Sequence, residues 1–368
     1  MAKQAVHVTH YLPKILLLGV HAPYNRTKQI DSYYDEFLSL VKTHGLTYHE
    51  SIFIKLREIS PVYFLTKGKL QELKELCDEL EIEELLVSEA LTAQQERNLE
   101  DLLNVRVFDR TKLILEIFEN SAHTAEGKTQ VAVAMLQYKK SRLAGKGIDM
   151  SQQRGVIGVR GGFGETAKEK ETRDIDNQIL KMKKNLKNLQ KTRDTQRKTR
   201  LASQATQICL IGYTNAGKST ILNRLTKSSV LAEDKLFATL DTTTRELFID
   251  GQKKGLLSDS VGFIQNLPHH LIDAFKSTLD ELQYAKLLLH VVDTSNSNWE
   301  AQVQVVNSIL RDLGIENKKM LYVFNKIDSA HNLETLETKL FQYRPHVLTS
   351  ASQKNGLDSL KQFLSTYL

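Results

Sequence analysis

The first 110 residues alternate short apolar runs with segments whose apolar residues recur every three or four positions. Short continuous apolar runs are typical of buried strands, and the three-to-four-residue period is typical of amphipathic helices. The pattern predicts strands at residues 15–20, 51–54, 85–87 and 105–108, and helices at residues 30–43, 69–80 and 93–103. This alternation predicts an N-terminal α/β domain, residues 1–110, with a parallel sheet flanked by helices.

Residues 111–203 lack the strand pattern. They predict helices at residues 113–119 and 130–143, followed by residues 145–164, which contain seven of the chain's 18 glycines. After this loop, apolar residues recur at alternating four- and three-residue intervals, which is the seam of a coiled coil. The seam residues are Ile175, Ile179, Met182, Leu186 and Leu189. We therefore expect a long antiparallel helical hairpin with a glycine-rich loop at its tip.

The charge of the chain is concentrated on this hairpin. Residues 139–200 contain 18 Lys and Arg and seven Asp and Glu, a net charge of +11 in a chain whose total is +6. A local excess of this kind suits a polyanion such as RNA, although a solvated helix face gives the same pattern. The sequence has no apolar run of about 20 residues, so we expect no membrane span. Its only cysteines, Cys77 and Cys209, fit a reducing cytoplasm.

Residues 204–368 open with an apolar strand, a glycine-containing loop and an apolar helix start. The loop matches G-x-x-x-x-G-K-S, the P-loop, whose backbone N–H groups surround phosphates. Its residues, with the one that follows, are Gly212, Tyr213, Thr214, Asn215, Ala216, Gly217, Lys218, Ser219 and Thr220. In this motif the lysine contacts the β- and γ-phosphates and the serine hydroxyl binds Mg²⁺. The pattern predicts a P-loop nucleotide-binding domain.

Three further motifs follow in the order that GTPases use. Asp259, Ser260, Val261 and Gly262 form D-x-x-G, in which the aspartate binds Mg²⁺ through water and the glycine contacts the γ-phosphate. Asn325, Lys326, Ile327 and Asp328 form N-K-x-D, whose aspartate accepts both guanine N–H groups that adenine cannot present. Ser350 and Ala351 are expected to close the base pocket with a backbone N–H. Together the motifs predict a Ras-like P-loop GTPase domain, with GTP and GDP as ligands.

A switch segment lies between the P-loop and Asp259. A switch of this kind needs a threonine whose hydroxyl reaches Mg²⁺ only when the γ-phosphate is present. The segment contains Phe237, Ala238, Thr239, Leu240 and Asp241. We favour Thr239 as the third Mg²⁺ ligand and, with Lys218 and Gly262, as a catalytic residue. Thr242 and Thr243 remain alternatives, because spacing alone does not decide.

Position 263, directly after D-x-x-G, is Phe where many GTPases have a water-orienting glutamine. The attacking water must then be oriented by another group, or hydrolysis is impaired. We expect slow hydrolysis that a partner stimulates. Asn215 offers a second route, because its side-chain carbonyl could bind K⁺ beside the phosphates. The other interpretation is that Asn215 only braces the loop.

Taken together, the motifs resemble the HflX family, the ribosome-associated translational GTPases. The resemblance covers nearly the whole chain. Its G-domain motifs are G-Y-T-N-A-G-K-S-T at 212–220, F-A-T-L-D at 237–241, D-S-V-G-F-I-Q-N-L-P at 259–268 and N-K-I-D at 325–328. Its motifs elsewhere are D-R-T-K-L-I-L at 109–115, T-A-E-G-K at 124–128, and R-G with G-E-T between 160 and 166. This chain departs from the family pattern at Thr66, Ala132, Phe163, Ala167 and Ser260.

The resemblance implies a monomeric cytoplasmic enzyme that binds the large (50S) ribosomal subunit and its rRNA. It further implies a role in splitting or rescuing stalled ribosomes under stress, and some family members also use ATP. Two other functions compete with this one. The chain could be a biogenesis or signalling GTPase whose N-terminal region binds a protein, or an RNA-binding protein with a vestigial nucleotide pocket. The basic hairpin argues against the former, and the intact Lys218, Ser219 and Asp259 argue against the latter.

Overall fold

The structure, a computed structural model, describes residues 13–25, 29–143, 167–202, 206–226, 235–238, 240, 243–266, 281–330 and 338–368. In the helix that ends at residue 202, side chains are described as far as residue 191. The glycine-rich loop at 145–164 and the switch residues Thr239, Asp241 and Thr242 lie outside the described residues. The chain forms two compact units, Met1–Ile114 with Lys140–Lys168, and Leu115–Lys139 with Glu169–Leu368.

A four-stranded parallel sheet forms the centre of the first unit, in the order β2-β1-β3-β4. Its strands are β1 Ile15–His21, β2 Glu50–Lys55, β3 Glu84–Val87 and β4 Arg106–Asp109. Helices α1 Ile30–His44, α2 Lys67–Leu80 and α3 Ala93–Leu103 alternate with them along the chain. Every strand and helix predicted for this region is present, and the sequence-based α/β assignment is confirmed.

Asp109, at the end of β4, connects three parts of this unit. Its fully buried carboxylate accepts hydrogen bonds from the backbone N–H groups of Leu91 (3.1 Å) and Lys112 (2.9 Å). Arg142 donates to the same carboxylate at 2.7 Å. Because the bond from Lys112 caps the first turn, helix α4 Arg110–Ser121 begins directly after the strand.

Helices α5 Ala125–Leu143 and α6 Ala167–Ala202 flank the glycine-rich loop in sequence. The predicted seam is present on α6: Ile175 and Ile179 are buried, and Met182, Leu186 and Leu189 are half-buried among exposed neighbours. Lys139 near the end of α5 forms an ion pair with Glu171 near the start of α6, at 3.3 Å. This ion pair brings the end of α5 close to the start of α6, as the predicted helical hairpin requires. Among the described helices, none is long and apolar enough to span a membrane.

The second sheet has six strands in the order β10-β9-β8-β5-β7-β6, and only β6 and β7 pair antiparallel. Its strands are β5 Gln207–Gly212, β6 Thr244–Ile249, β7 Gln252–Asp259, β8 Leu287–Asp293, β9 Met320–Asn325 and β10 His346–Leu348. Its described helices include α7 Lys218–Thr226, α8 Trp299–Asp312 and α9 Asp358–Tyr367. In open α/β sheets, ligands bind at the carboxyl ends of the parallel strands, and all four nucleotide motifs follow such ends.

Candidate functional site

The P-loop runs from the end of β5 into α7 and contacts the N-K-x-D segment directly. The side-chain amide of Asn325 donates to the carbonyl of Ala216 at 2.9 Å. A β-carbon at Gly217 would lie 2.3 Å from that amide nitrogen, and Gly217 has φ +94°. Only glycine therefore allows this close approach of two segments that are far apart in the sequence.

The phosphate end of the site brings together the predicted lysine, serine and aspartate. The ammonium group of Lys218 is buried and donates to the carbonyls of Tyr213 (2.7 Å) and Gly212 (3.2 Å). Burial lowers the pKa of Lys218 to about 8, against an opposing effect of Asp259. The hydroxyl of Ser219 donates to Asp259 at 2.8 Å. A pocket at this place is lined by Thr214, Asn215, Gly217, Lys218, Ser219, Thr220, Lys235, Phe237, Ala238 and Gly262.

The base end of the site is built around Asp328. Its carboxylate accepts hydrogen bonds from the hydroxyls of Ser350 and, at 3.4 Å, Ser352. The hydroxyl of Ser350 is the main reason why the pKa of Asp328 is lowered. In the Ser350–Ala351 segment, which is expected to supply a backbone N–H to the guanine oxygen, the N–H of Ala351 donates to the side-chain oxygen of Asn325 at 2.9 Å. The structure thus brings the N-K-x-D and Ser350–Ala351 segments together.

Two residues of this pocket were missed in the sequence. Asp293, which ends β8, forms an ion pair with Lys326 at 2.7 Å. Its position at the carboxyl end of an apolar strand was the signal that could have revealed it. Arg224 on α7 donates to the carbonyls of Ser352 (2.8 Å) and Gln353, which connects the P-loop helix to the base pocket. No local pattern marks Arg224, because its partners lie more than 120 positions away.

The described part of the switch segment is anchored by aromatic packing. Phe237 is buried and lies edge-on against Phe118 of α4, with ring centroids 4.6 Å apart. Its φ of +57° is uncommon for a residue with a bulky side chain. Leu240 is also buried, and Ala238 lines the phosphate pocket. Thr243 accepts a backbone hydrogen bond from Asp259 at 3.0 Å, whereas the positions of Thr239 and Asp241 are outside the described residues.

Each of the three sequence regions matches a known protein family. Residues 31–119 match the family described as GTP-binding GTPase N-terminal, residues 121–200 match GTP-binding GTPase Middle Region, and residues 207–326 match 50S ribosome-binding GTPase. The GTPase HflX of Magnetococcus marinus is 44% identical over 333 residues, which cover 90% of this chain and 77% of that protein.

The chain belongs to the HflX family of GTPases.

The HflX protein of Escherichia coli is 38% identical over 350 residues, covering 95% of this chain and 82% of its own length. The crystal structure of SsGBP in complex with GDP aligns with a TM-score of 0.52 and 24% identity, over 96% of this chain and 98% of that chain, which shows a shared fold. The resemblance to HflX inferred from the motifs is confirmed, and the chain is a GTP-binding GTPase.

Proposed function

We propose that this HflX protein hydrolyses GTP on the large ribosomal subunit, in the cytoplasm, and acts in splitting or rescuing stalled ribosomes under stress. The observation that supports this most is the basic surface of α6, joined to a G domain of the 50S ribosome-binding type. Within the described side chains of α6, the exposed cations are Lys170, Arg173, Lys181, Lys183, Lys184, Lys187 and Lys191. The acidic residues in the same stretch all lie near its start: Glu169, Glu171, Asp174 and Asp176. A surface with this excess of cations suits rRNA phosphates.

We infer that the P-loop segment binds the phosphates of GTP and that Asp328 selects guanine. The backbone N–H groups of residues 213–219 and the charge of Lys218 provide the phosphate site. Asp328, whose pKa the Ser350 hydroxyl lowers, accepts hydrogen bonds from the ring N–H and the exocyclic amine of guanine. Lys326, fixed by Asp293, lies along the base. Asn325 connects both ends of the site through Ala216.

The residues beside Lys218 fit Mg²⁺. A hydroxyl oxygen and a carboxylate oxygen, those of Ser219 and Asp259, lie 2.8 Å apart at the mouth of the P-loop, and oxygen ligands are the ones that Mg²⁺ takes. Ser219 would bind the ion directly, Asp259 through water, and Thr239 would complete the set. When bound, Mg²⁺ neutralises charge that develops on the β- and γ-phosphates.

We propose that hydrolysis is slow without the ribosome, since Phe263 stands in place of the water-orienting glutamine and its buried apolar side chain has no group that could orient water. Asn215 lines the phosphate pocket in a left-handed backbone conformation, φ +59°, where K⁺ could bind its carbonyl. Turnover should then be faster in K⁺ than in Na⁺ at equal ionic strength. Asn215→Gly removes the side-chain carbonyl, and glycine adopts this backbone conformation without strain. The variant should therefore lose the preference for K⁺ over Na⁺. Equal rates of GTP turnover in K⁺ and Na⁺ for the native protein would exclude a catalytic role for K⁺.

Co-sedimentation with purified 50S subunits tests the ribosomal role. We expect the protein to pellet with 50S subunits when loaded with the non-hydrolysable analogue GMPPNP, and less when loaded with GDP. Lys183→Gln with Lys187→Gln, both exposed on α6, should weaken binding and reduce the dependence of log affinity on log salt by roughly 0.7–0.9 for each phosphate that is no longer neutralised. Lys253→Gln with Lys319→Gln, both exposed on the G domain, is the matched control.

Two results of this experiment would contradict the proposal. If the native protein does not pellet with 50S subunits in either nucleotide state, the ribosomal role is wrong and a protein partner in signalling or biogenesis becomes the better hypothesis. If the α6 variant and the control variant bind equally well, the subunit is bound by another surface.

A further inference from the structure

The segment after D-x-x-G is joined to the P-loop by backbone hydrogen bonds. The N–H of Thr214 donates to the carbonyl of Phe263 at 2.9 Å, and the N–H of Phe263 donates to the carbonyl of Gly212 at 3.2 Å. Tyr213 and Phe263 form a parallel β-bridge between these bonds. Residues 262–265, which we call the second switch, are therefore paired with the backbone that follows β5.

A side chain adds a further hydrogen bond to this pairing. The phenol oxygen of Tyr213 accepts a hydrogen bond from the backbone N–H of Gln265 at 2.8 Å. Tyr213 and Gln265 are 5% and 8% exposed, so water cannot readily replace the phenol oxygen if the hydroxyl is removed. Phe263 is 2% exposed, so the residue at the usual glutamine position anchors this pairing in the interior.

The pairing fixes Gly262 against the phosphate site. A β-carbon at Gly262 would lie 2.6 Å from the side chain of Thr214 and 3.2 Å from the ammonium nitrogen of Lys218. The backbone of Gly262 thus lies beside the charge that contacts the terminal phosphates. Gln265 follows Gly262 closely in the chain, so a restraint on the Gln265 N–H restrains the position of Gly262.

We propose that Tyr213 is a positioning residue for GTP hydrolysis, whose hydroxyl keeps the second switch paired with the P-loop and so places the Gly262 N–H for the γ-phosphate. This inference rests on the proposed role of Gly262 in binding that phosphate. It does not depend on the ribosomal partner. GDP lacks the γ-phosphate, so its binding does not use this arrangement.

The test is Tyr213→Phe, which removes one oxygen atom from a buried ring. We expect affinity for GMPPNP and kcat for GTP each to fall about tenfold, the effect of leaving one buried N–H without its acceptor, while GDP affinity changes less than about twofold. Amide hydrogen exchange at residues 262–266 should become faster. Tyr322→Phe is the matched control, because the Tyr322 hydroxyl has no hydrogen bond among the described residues, and it should change none of these quantities.

The outcomes separate this inference from the role of Gly262. Gly262→Ala, measured in the same way, should lose GMPPNP affinity selectively. If it does so while Tyr213→Phe keeps the native ratio of GMPPNP to GDP affinity, the positioning role of Tyr213 is wrong. If Gly262→Ala itself leaves that ratio unchanged, the role of Gly262 is wrong. If Tyr213→Phe weakens GDP and GMPPNP equally, Tyr213 only braces the P-loop, and the inference is overturned.

Discussion

Asp328 is the residue that we propose for base selectivity. Its carboxylate is exposed at the base end of the site, where an aspartate is ionised at neutral pH, and the Ser350 hydroxyl lowers its pKa further. An ionised carboxylate has two oxygens that match the two adjacent N–H donors of guanine. Its partners Ser350 and Ser352 orient it without occupying all of its acceptor positions.

Asp328→Asn should weaken GTP binding by about 1.5–3 kcal/mol, because an amide cannot accept both guanine N–H groups. Xanthosine nucleotides, whose base offers an additional acceptor, should bind the variant better than GTP does. Calorimetric titration of both nucleotides against native and variant protein measures the change. An unchanged GTP affinity would be incompatible with guanine recognition by Asp328.

His290 in β8 has a buried imidazole on which the charge of Lys218 acts. Burial, together with the charge of Lys218, lowers its pKa to about 3, and its Nδ1 has no hydrogen-bond partner among the described residues. The unfolded chain therefore binds a proton near the ordinary His pKa that the folded chain does not bind. Stability contributed by neutral His290 is present above about pH 6.5 and is lost as the pH falls towards 3.

His290→Leu should make unfolding less sensitive to acid. Between about pH 7 and pH 5, the native protein should lose about 2 kcal/mol more of its unfolding free energy than the variant does. Chemical denaturation at the two pH values measures this difference. Parallel losses in both proteins would show that His290 titrates normally in the folded state.

At the residue scale, the sequence predicted the motif positions better than the contacts that support them. The P-loop and N-K-x-D are local in sequence, and each depends on backbone conformations and side-chain types that their spacing encodes. The contact of Arg224 with the 352–353 carbonyls, and that of the Tyr213 hydroxyl with Gln265, join segments distant in sequence. Such contacts depend on how strands and loops are arranged, which one sequence does not specify.

At the scale of elements, apolar periodicity located the helices and strands, but not all of their ends. Helix α4 begins three residues before the prediction because Asp109 caps it, and α5 begins five residues early. The hydroxyl of Thr124 accepts a hydrogen bond from the N–H of Gly127 at 2.9 Å, which accounts for the early start of α5. Capping residues are polar and contribute nothing to an apolar pattern, so the periodicity underestimates the length of both helices.

The junction of β4 and α4 should be sensitive to replacement of Asp109. Asp109→Ala removes the acceptor of two buried backbone donors, while Arg142 keeps its ion pair with Glu96, so the unfolding free energy should fall by about 2–4 kcal/mol. Asp109→Asn keeps one acceptor oxygen and should cost less. Denaturant unfolding of the three proteins measures this order, and a decrease below about 1 kcal/mol for the alanine variant would contradict the connecting role of Asp109.

At the scale of the whole molecule, the order of the three regions could be predicted from the sequence because each region has its own pattern. The first alternates strands and helices, the second has a basic helix with a heptad-like apolar seam, and the third contains the four nucleotide motifs. The predicted boundaries after residues 110 and 203 remain predictions. Residues 115–139 pack in the same unit as the G domain, and the contact of Phe118 with Phe237 joins α4 to the switch segment. A helix outside the nucleotide motifs thus contacts a residue that lines the phosphate pocket.

We propose that the large ribosomal subunit activates this GTPase. The most direct measurement is steady-state GTP turnover at saturating GTP, with and without purified 50S subunits, using Lys218→Ala protein to measure contaminating hydrolysis. We predict slow turnover for the protein alone and an increase of at least about tenfold with 50S subunits, a threshold well below the roughly 10³–10⁵ that an arginine finger supplies. Turnover that is the same with and without the subunit would contradict this claim.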